Sequence, residues 1–433
     1  MNFSWFIARK VALSGEQSFA RLIIRIAVVA VALSVAVMIA TNALVAGFKK
    51  EISTKIFGFW GHIHITDTDI STSLLEAYPI KINQPFYPFP AAIAERRYGE
   101  RVPHEFLGWE WEQLQTTKGW ISHIQVFAVK PGIIKAKSQI EGILLKGVGK
   151  DFNWQFMRQY LQEGDTLQLK DTAMSSQILI SRQTADRLRV GVGDDFIVHF
   201  VQGGNQLKRR FAVAGIYKTG LEEYDKVFAL VDIRQIQRLL GWQADEVGGF
   251  EVFIDDIDDL NLINNYLYYN KLPNDLFSET VRTKFPEIFE WLDLQDINEV
   301  VILSLMVIVA LINMITALMI LILERTNMIG TLKALGTSNW SIRRIFLIYA
   351  GYIVVVGLFW GNLIGIGLCV LQEQFELIQL SEENYYLSVA PVELQFWSIL
   401  LINVGTLVVT LLFLIVPSYL VTRISPIKAI RFN

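Results

Sequence analysis

Four apolar stretches, each long enough to cross a bilayer, are spread very unevenly along the 433 residues. Ile26–Gly47 lies near the start, whereas Val300–Leu323, Ile345–Leu371 and Phe396–Leu420 crowd into the C-terminal part. About 20 apolar residues in a helix match the hydrocarbon thickness of a membrane. Composition agrees, at 52% hydrophobic, 19% charged and a mean hydropathy of +0.37. Soluble chains of this size rarely carry so much apolar surface. The polar interval after the first stretch fills more than half the chain. The reading is a membrane α-helical protein with four transmembrane helices and a large α+β domain inserted between helices 1 and 2.

The expected layout is an N-terminal interfacial segment (1–25), span 1 (26–47) and the large domain (48–297), with a Pro- and aromatic-rich excursion over 78–120. Then come span 2 (298–323), a loop (324–344), span 3 (345–371), an acidic loop (372–395), span 4 (396–420) and a tail (421–433). A cleaved signal has an apolar region of only about 7–15 residues, so span 1 reads as a retained anchor. Before it, Phe3-Ser-Trp-Phe-Ile-Ala-Arg-Lys mixes aromatic and basic residues, which suits the membrane surface.

Orientation follows from the basic residues of the short segments. Arg9, Lys10, Arg21 and Arg25 precede span 1; Arg325, Lys333, Arg343 and Arg344 lie between spans 2 and 3; Arg423, Lys428 and Arg431 follow span 4. The loop between spans 3 and 4 has Glu373, Glu376, Glu382, Glu383 and Glu393 and no Lys or Arg. Both termini and the 324–344 loop are therefore expected in the cytoplasm, and the large domain and the acidic loop on the other side of the membrane.

A net charge of −3 gives no reason to invoke nucleic acid. Cys369 stands alone, inside span 3, which excludes an intrachain disulfide and a cysteine metal site. In the domain, His62–Ile65, Ile124–Val129, Ile140–Leu145, Phe196–Val201, Arg210–Ile216 and Val227–Val231 read as antiparallel strands with short helices between them. Ser181 is placed to cap one short helix, and Asp232–Leu240 reads as another, stopped by Gly241. Gln202-Gly-Gly-Asn reads as a hairpin turn. The 78–120 stretch holds Pro79, Pro85, Pro88, Pro90 and Pro103 with Tyr87, Phe89, Trp109 and Trp111. Proline interrupts both ladders and helices, so a long surface excursion is expected, either an insertion without a role or a partner-binding arm.

Little in the chain points to catalysis. The Gly-x4-Gly-Lys-Ser/Thr pattern is missing, and Gly147-Val-Gly-Lys-Asp has the wrong spacing. ATP hydrolysis would then belong to another chain. His62 and His64 alternate but lack a third metal ligand nearby; Asp255, Asp256, Asp258 and Asp259 read as a solvated helix start. No nucleophile constellation occurs. This chain is expected to be no enzyme and to bind no cofactor itself.

Span 3 carries Gly357, Gly361 and Gly365 at four-residue spacing, a groove for a neighbouring helix. Thr41, Asn42, Asn313 and Thr316 are the main polar groups of spans 1 and 2, too few for an ion pathway. An apolar or lipid-bearing substrate remains possible. The 324–344 loop begins Glu324-Arg-Thr-Asn-Met-Ile-Gly-Thr-Leu-Lys-Ala-Leu-Gly. It reads as a short amphipathic helix with Met328, Ile329, Leu332 and Leu335 on one side, stopped by Gly336. Such a helix either docks on a soluble partner or lies in the interface.

At these residues the chain resembles permeases of the MacB/FtsX/LolC-LolE class of ABC transporters, whose pattern is Glu-Arg-x-x-x-Ile-Gly-x-Leu-Lys-Ala-Leu-Gly. Pro417-Ser-Tyr and Ser425-Pro-Ile-Lys-Ala-Ile-Arg are similar to the family's ending. Leu44-Val-Ala-Gly-Phe-Lys-Lys-Glu-Ile, Gly215-Ile-Tyr, the run from Tyr224 to Leu239 and Tyr385–Leu394 are closest to the lipoprotein-releasing branch, LolC and LolE.

The resemblance implies a cytoplasmic ABC ATPase dimer docking around Glu324, Arg325, Met328, Ile329, Lys333, Leu335 and Gly336, with ATP and Mg bound by that partner. It implies a second permease copy or paralogue, lipoprotein substrates, membrane lipids and a periplasmic lipoprotein carrier. It also implies a cavity for acyl chains between spans 1 and 2, for which Val37, Met38, Thr41, Leu44, Phe48, Leu305, Met306 and Val309 are candidates. The proline-bearing hairpin by which LolC hooks a carrier corresponds here to the proline-free Val201–Arg209. Two alternatives stand beside lipoprotein release. One is a MacB/FtsX-like mechanotransmission permease for efflux or activation of a cell-wall hydrolase; the other is a membrane sensor reading a ligand through 78–120.

Overall fold

The computed structural model describes residues 19–68, 78–88, 97–106, 109–136, 139–170, 173–202, 205–381, 385 and 387–424. The N-terminal aromatic and basic segment, Phe89, Pro90, the hairpin tip at 203–204, Glu382, Glu383 and the closing run from Ser425 lie outside them. Two compact units result. One comprises Met1–Glu51, Glu290–Gln379 and Val389–Asn433; the other comprises Ile52–Phe289 and Leu380–Ser388.

The first unit is helical. Among the described residues four helices are long and apolar enough to cross a membrane: Phe19–Trp60, Pro286–Glu324, Asn339–Phe375 and Phe396–Ser418. They are called spans 1 to 4. The first has 42 residues, about 60 Å at 1.5 Å per residue. It therefore outruns the apolar stretch within it at both ends, and its last turns, from Ile52, count with the other unit. Span 2 opens on Pro286, where a missing N–H costs nothing.

The second unit is built on a ten-stranded sheet. Its chain runs through β1 (Ile63–Asp67), β2 (Ile80–Lys81), β3 (Gly99–Phe106), β4 (Trp109–Thr116), β5 (Ile121–Ala136) and β6 (Gln139–Val148). It continues through β7 (Leu161–Gly164), β8 (Gln177–Ser181), β9 (Asp195–Gln202), β10 (Asn205–Tyr217), β11 (Phe228–Asp232), β12 (Glu246–Val247), β13 (Gly249–Ile254) and β14 (Leu276–Thr280). The order is β14-β1-β13-β5-β6-β11-β8-β10-β7, with β9 pairing β10 and β5. An antiparallel domain was expected, yet β8 pairs β10 and β6 pairs β11 in parallel. Parallel neighbours need long crossovers, and the connections between these strands contain helices that supply them. Strand β11 is buried along its whole length, so the sheet is covered on both faces.

Local signals are where the sequence put them. Ser181 accepts from the Thr184 N–H at 3.1 Å, and Asp232 from the Arg234 N–H at 3.0 Å, opening the helices Arg182–Leu188 and Ile233–Leu240. Gly241, at φ 73°, closes the second. Strands β9 and β10 pair antiparallel from Gln202 opposite Asn205 onward.

Two expectations need correction. The 78–120 excursion is not devoid of ladders: β3 and β4 form a two-stranded ribbon in which Pro103 stands opposite Glu112. A ribbon has an open edge on either side, and a strand edge tolerates proline. Trp109 is 80% exposed on it. Nor is the acidic run simply solvated. Asp259 is buried and accepts from the N–H groups of Lys118 and Gly119 at 2.6 and 2.7 Å, tying the end of the excursion to the helix Leu260–Asn270.

The two histidines do not converge. The ring of His62 stacks on Phe57 at 4.5 Å, and its Nδ1 accepts from the Ile254 N–H at 3.3 Å. His64 is fully buried, with Nε2 2.7 Å from the Trp60 carbonyl, which requires the proton on Nε2. Burial lowers the His62 pKa to about 4 and holds His64 well below its ordinary value. The unfolded chain takes up a proton near pH 6.5 that the fold refuses at His62 until about 4. Stability present above pH 6.5 is thus lost as the pH falls through that window, by about 3 kcal/mol from His62 alone. Thermal unfolding of the purified protein, followed by tryptophan fluorescence between pH 7 and 4, is expected to show this decline. His62→Gln should flatten it; an equally steep decline in that variant would remove His62 as its cause.

Candidate functional site: the helical bundle and its loop helix

Glycine spacing positions span 3 against span 1. A Cβ on Gly357 would stand 2.7 Å from Val31 Cγ1. One on Gly361 would stand 2.7 Å from Val35 Cβ and 2.8 Å from the Ala32 carbonyl, and one on Gly365 3.1 Å from Ala36 Cα. Only a helix without side chains there lets span 1 approach so closely. Val31, Val35, Met38 and Ile39 of span 1 join Ile353 and Val354 of span 3 and Met314 of span 2 in one buried cluster.

Polar contacts close the bundle at several depths. Asn42 donates to Glu299 at 2.7 Å, and Lys49 pairs with Asp296 at 2.7 Å, both between spans 1 and 2. Phe48 meets Trp291 edge-on. Lys50 pairs with Glu393 at 2.8 Å, and the Glu393 N–H donates to the Ala43 carbonyl at 2.9 Å, so the acidic loop is fastened to span 1. Asn362 and Asn403 exchange amide hydrogen bonds of 2.6 and 2.9 Å between spans 3 and 4. None of these pairs was singled out from sequence. An asparagine inside an apolar run, twice, was the signal available for the last.

The eight candidate cavity residues do not share one surface. Met38, 1% exposed, is bundle core, held there by the close approach of span 3. Val37, Thr41, Leu44 and Phe48 are half-buried, as is Met306, which packs on the core. Leu305 and Val309 are exposed one turn apart on span 2. This arrangement leaves span 2 with an apolar outer face and span 1 with its apolar side largely occupied.

The loop helix is Thr326–Ala334. Gly336, at φ 87°, ends it, and Ser338 caps span 3 by accepting from the Ser341 N–H. Its supposed single apolar side divides. Ile329 is fully buried, and Met328 and Leu332 pack half-buried on the bundle core, whereas Leu335 is 77% exposed. Leu335 is the C-cap residue, its N–H still bonded to the Thr331 carbonyl at 3.0 Å, in the last turn before Gly336. Lys333 is turned inward. Its ammonium donates to the carbonyls of Val421, Thr422 and Ile424 at 2.7, 3.2 and 2.8 Å, closing the end of the short helix Leu420–Arg423 that follows span 4. Glu324 is exposed and Arg325 half-buried. Leu335 and Trp340 are thus the large apolar side chains that this loop leaves uncovered.

Two family models match the chain: the MacB-like periplasmic core domain over residues 26–266, more than half of it, and the FtsX-like permease C-terminal region over 300–426. The lipoprotein-releasing system transmembrane protein LolC of Xylella fastidiosa is 23% identical over 420 residues, covering 94% of this chain and 93% of that one. The protein LolE of the same system from Haemophilus influenzae is 22% identical over 458 residues, covering 99% of each.

The glycine groove makes a sharp prediction. Gly361→Leu would drive a side chain into Val35 and the Ala32 carbonyl, and is expected to destabilise the bundle by about 1–3 kcal/mol. Gly367→Leu, on the same helix but with nothing within 4 Å, should change stability by no more than ~0.5 kcal/mol. Thermal unfolding of both variants in detergent decides; equal behaviour would show that the close approach carries no energy.

Proposed function

Since the chain belongs to the family of ABC-transporter permeases built on a MacB-like periplasmic core domain, we propose that it is the transmembrane subunit of a complex that extracts lipoproteins from the inner membrane. In this reading the cargo leaves the outer leaflet and passes to a periplasmic carrier. Both termini and the loop helix face the cytoplasm, as the distribution of Lys and Arg suggests. A separate ATPase dimer, binding ATP and Mg, docks on that loop, and a second permease copy or paralogue completes the membrane part.

The observation that carries the proposal is the loop helix. It is anchored to its own bundle by Ile329 and Lys333, and it ends on the exposed Leu335, with Trp340 exposed at the start of span 3 just beyond Gly336. Two exposed apolar side chains flanking one firmly held turn suit a protein partner better than they suit water. Similarity over nearly the whole length to proteins named for lipoprotein release supports the choice of cargo. Each acyl methylene withdrawn from a bilayer costs about 0.8 kcal/mol, so release of an acylated protein needs an external energy source. Glu324, Arg325 and Gly336 flank the docking surface, with Gly336 setting the direction of the chain into span 3.

Leu335→Glu tests the docking surface without touching the core. Pull-down of the tagged variant is expected to recover the partner ATPase at least ten-fold less than wild type, with unchanged thermal stability. Undiminished recovery would place the ATPase elsewhere. The cargo is tested by depleting the chain in its host and fractionating the membranes. Acylated proteins destined for the outer membrane should accumulate in the inner one. Normal sorting, with loss of drug export or of septal wall cleavage, would favour the mechanotransmission alternatives.

A further inference from the structure

Spans 3 and 4 flank an open groove of about 490 Å³ that plays no part in the reading above. Leu347, Ile348 and Gly351 line it from span 3, and Leu411, Leu412 and Ile415 from span 4. The floor is open at Gly351, where an added Cβ would meet only Leu411 Cδ2, at 3.6 Å. Its walls are apolar throughout.

One end of the groove is charged. Arg344 precedes Leu347 by three residues, Ile348 by four and Gly351 by seven, so it continues the same helical face by one turn. It is exposed, and among the described residues it has no hydrogen-bonding or ionic partner. Arg343 beside it is 7% exposed. Its guanidinium lies 3.6 Å above the Tyr419 ring and donates through Nε to Ser418 at 3.1 Å, while Nη2 is buried with no partner. Ser418 and Tyr419 follow Ile415 by three and four residues, so both guanidinium groups belong to the same end. No carboxylate among the described residues pairs with either of them.

We propose that this groove binds one anionic phospholipid, its phosphate at Arg344 and an acyl chain along Gly351 between spans 3 and 4. Charge is the argument for that occupant. In a bilayer an apolar groove gains nothing from hydrophobicity, because the surrounding tails are as apolar as its walls. What distinguishes one lipid from another is the head group, and the exposed, unpaired guanidinium of Arg344, beside an Arg343 that no carboxylate neutralises, favours a negative one. A basic residue near a membrane surface is worth roughly a five-fold preference for anionic lipid. The proposal takes only the leaflet, that of the cytoplasm, from the orientation given above; the charge preference is independent of it.

The full-length protein is to be reconstituted in vesicles of equal parts dioleoylphosphatidylglycerol and dioleoylphosphatidylcholine, re-extracted, and its retained lipid counted by native mass spectrometry. Wild type is expected to retain the glycerol lipid about five-fold or more over the choline lipid. Arg344→Gln, which removes no contact within the fold, should erase most of that preference. Gly351→Ala, a single methyl with room beside it, should lower retention without altering unfolding temperature. Equal retention of the two lipids by wild type, or an unchanged preference in Arg344→Gln, would overturn the site. So would an intermolecular disulfide formed by Gly351→Cys in a Cys369→Ser background, because the groove would then be covered by a second copy of the chain.

Discussion

A lysine ammonium without access to water fixes the place where the first helix becomes a strand. Lys146, on β6, is fully buried, donates to the Phe59 carbonyl and lies 2.7 Å from Glu251 on β13. Glu251 also accepts from Gln125 on the intervening strand β5, at 2.7 Å. The rings of Phe59 and Trp60 flank the ammonium at 4.8 and 4.7 Å. Burial pulls Lys146 down and Glu251 up, each opposed by the other's charge. Removing one partner of such a pair typically costs about 3–5 kcal/mol, because the other is left buried and unpaired. The helix end needs this treatment: its last carbonyls have no partner within the helix and carry its negative pole. Lys146 takes one, His64 takes the next, and Gly61, at φ 74°, turns the backbone into β1. Three adjacent strands, β13, β5 and β6, thus meet beneath one helix end.

The bundle is held by other means. Where lipid replaces water, apolar contact between helices brings no hydrophobic gain, and close packing and paired polar groups take over. Gly357, Gly361 and Gly365 provide the packing, the Asn362–Asn403 amides the pairing, and Asn42 with Glu299 a further tie between spans 1 and 2. A side-chain amide in an apolar span is costly alone and favourable in a reciprocal pair, which makes such residues specific for one helix register.

Much of this was legible in the chain, and what was not has a common cause. Hydropathy identifies spans because the bilayer imposes a length and a composition. Ser181, Asp232 and Gly241 mark helix ends because capping acts over three or four residues of sequence. Lys146 and Glu251 are separated by more than a hundred residues, and nothing local marks either as buried. The loop helix shows the same limit. Its periodicity correctly announced an amphipathic element, but periodicity does not say whether the apolar side meets a partner or its own bundle. Ile329 faces inward and Leu335 outward, and Lys333 caps the segment after span 4, 88 residues away. Pro103 misled because the rule against proline in ladders concerns interior strands, whereas a ribbon has none.

The position of Lys333 bears on how force would travel if the loop helix is the ATPase-docking element. The helix follows directly on span 2, separated from it by Arg325 alone, and leads into span 3 through Gly336 and the Ser338 cap. Through Lys333 it also holds three carbonyls of the short segment that directly follows span 4. A displacement applied at Leu335 would therefore reach three spans at once, two through the backbone and one through a charged cap. Span 3 would pass it to span 1 across the glycine groove, where contact is too close for the two helices to slide without separating. A load entering at one exposed leucine would thus be shared by all four spans, which is the behaviour a lever needs and a loosely tethered amphipathic helix would lack.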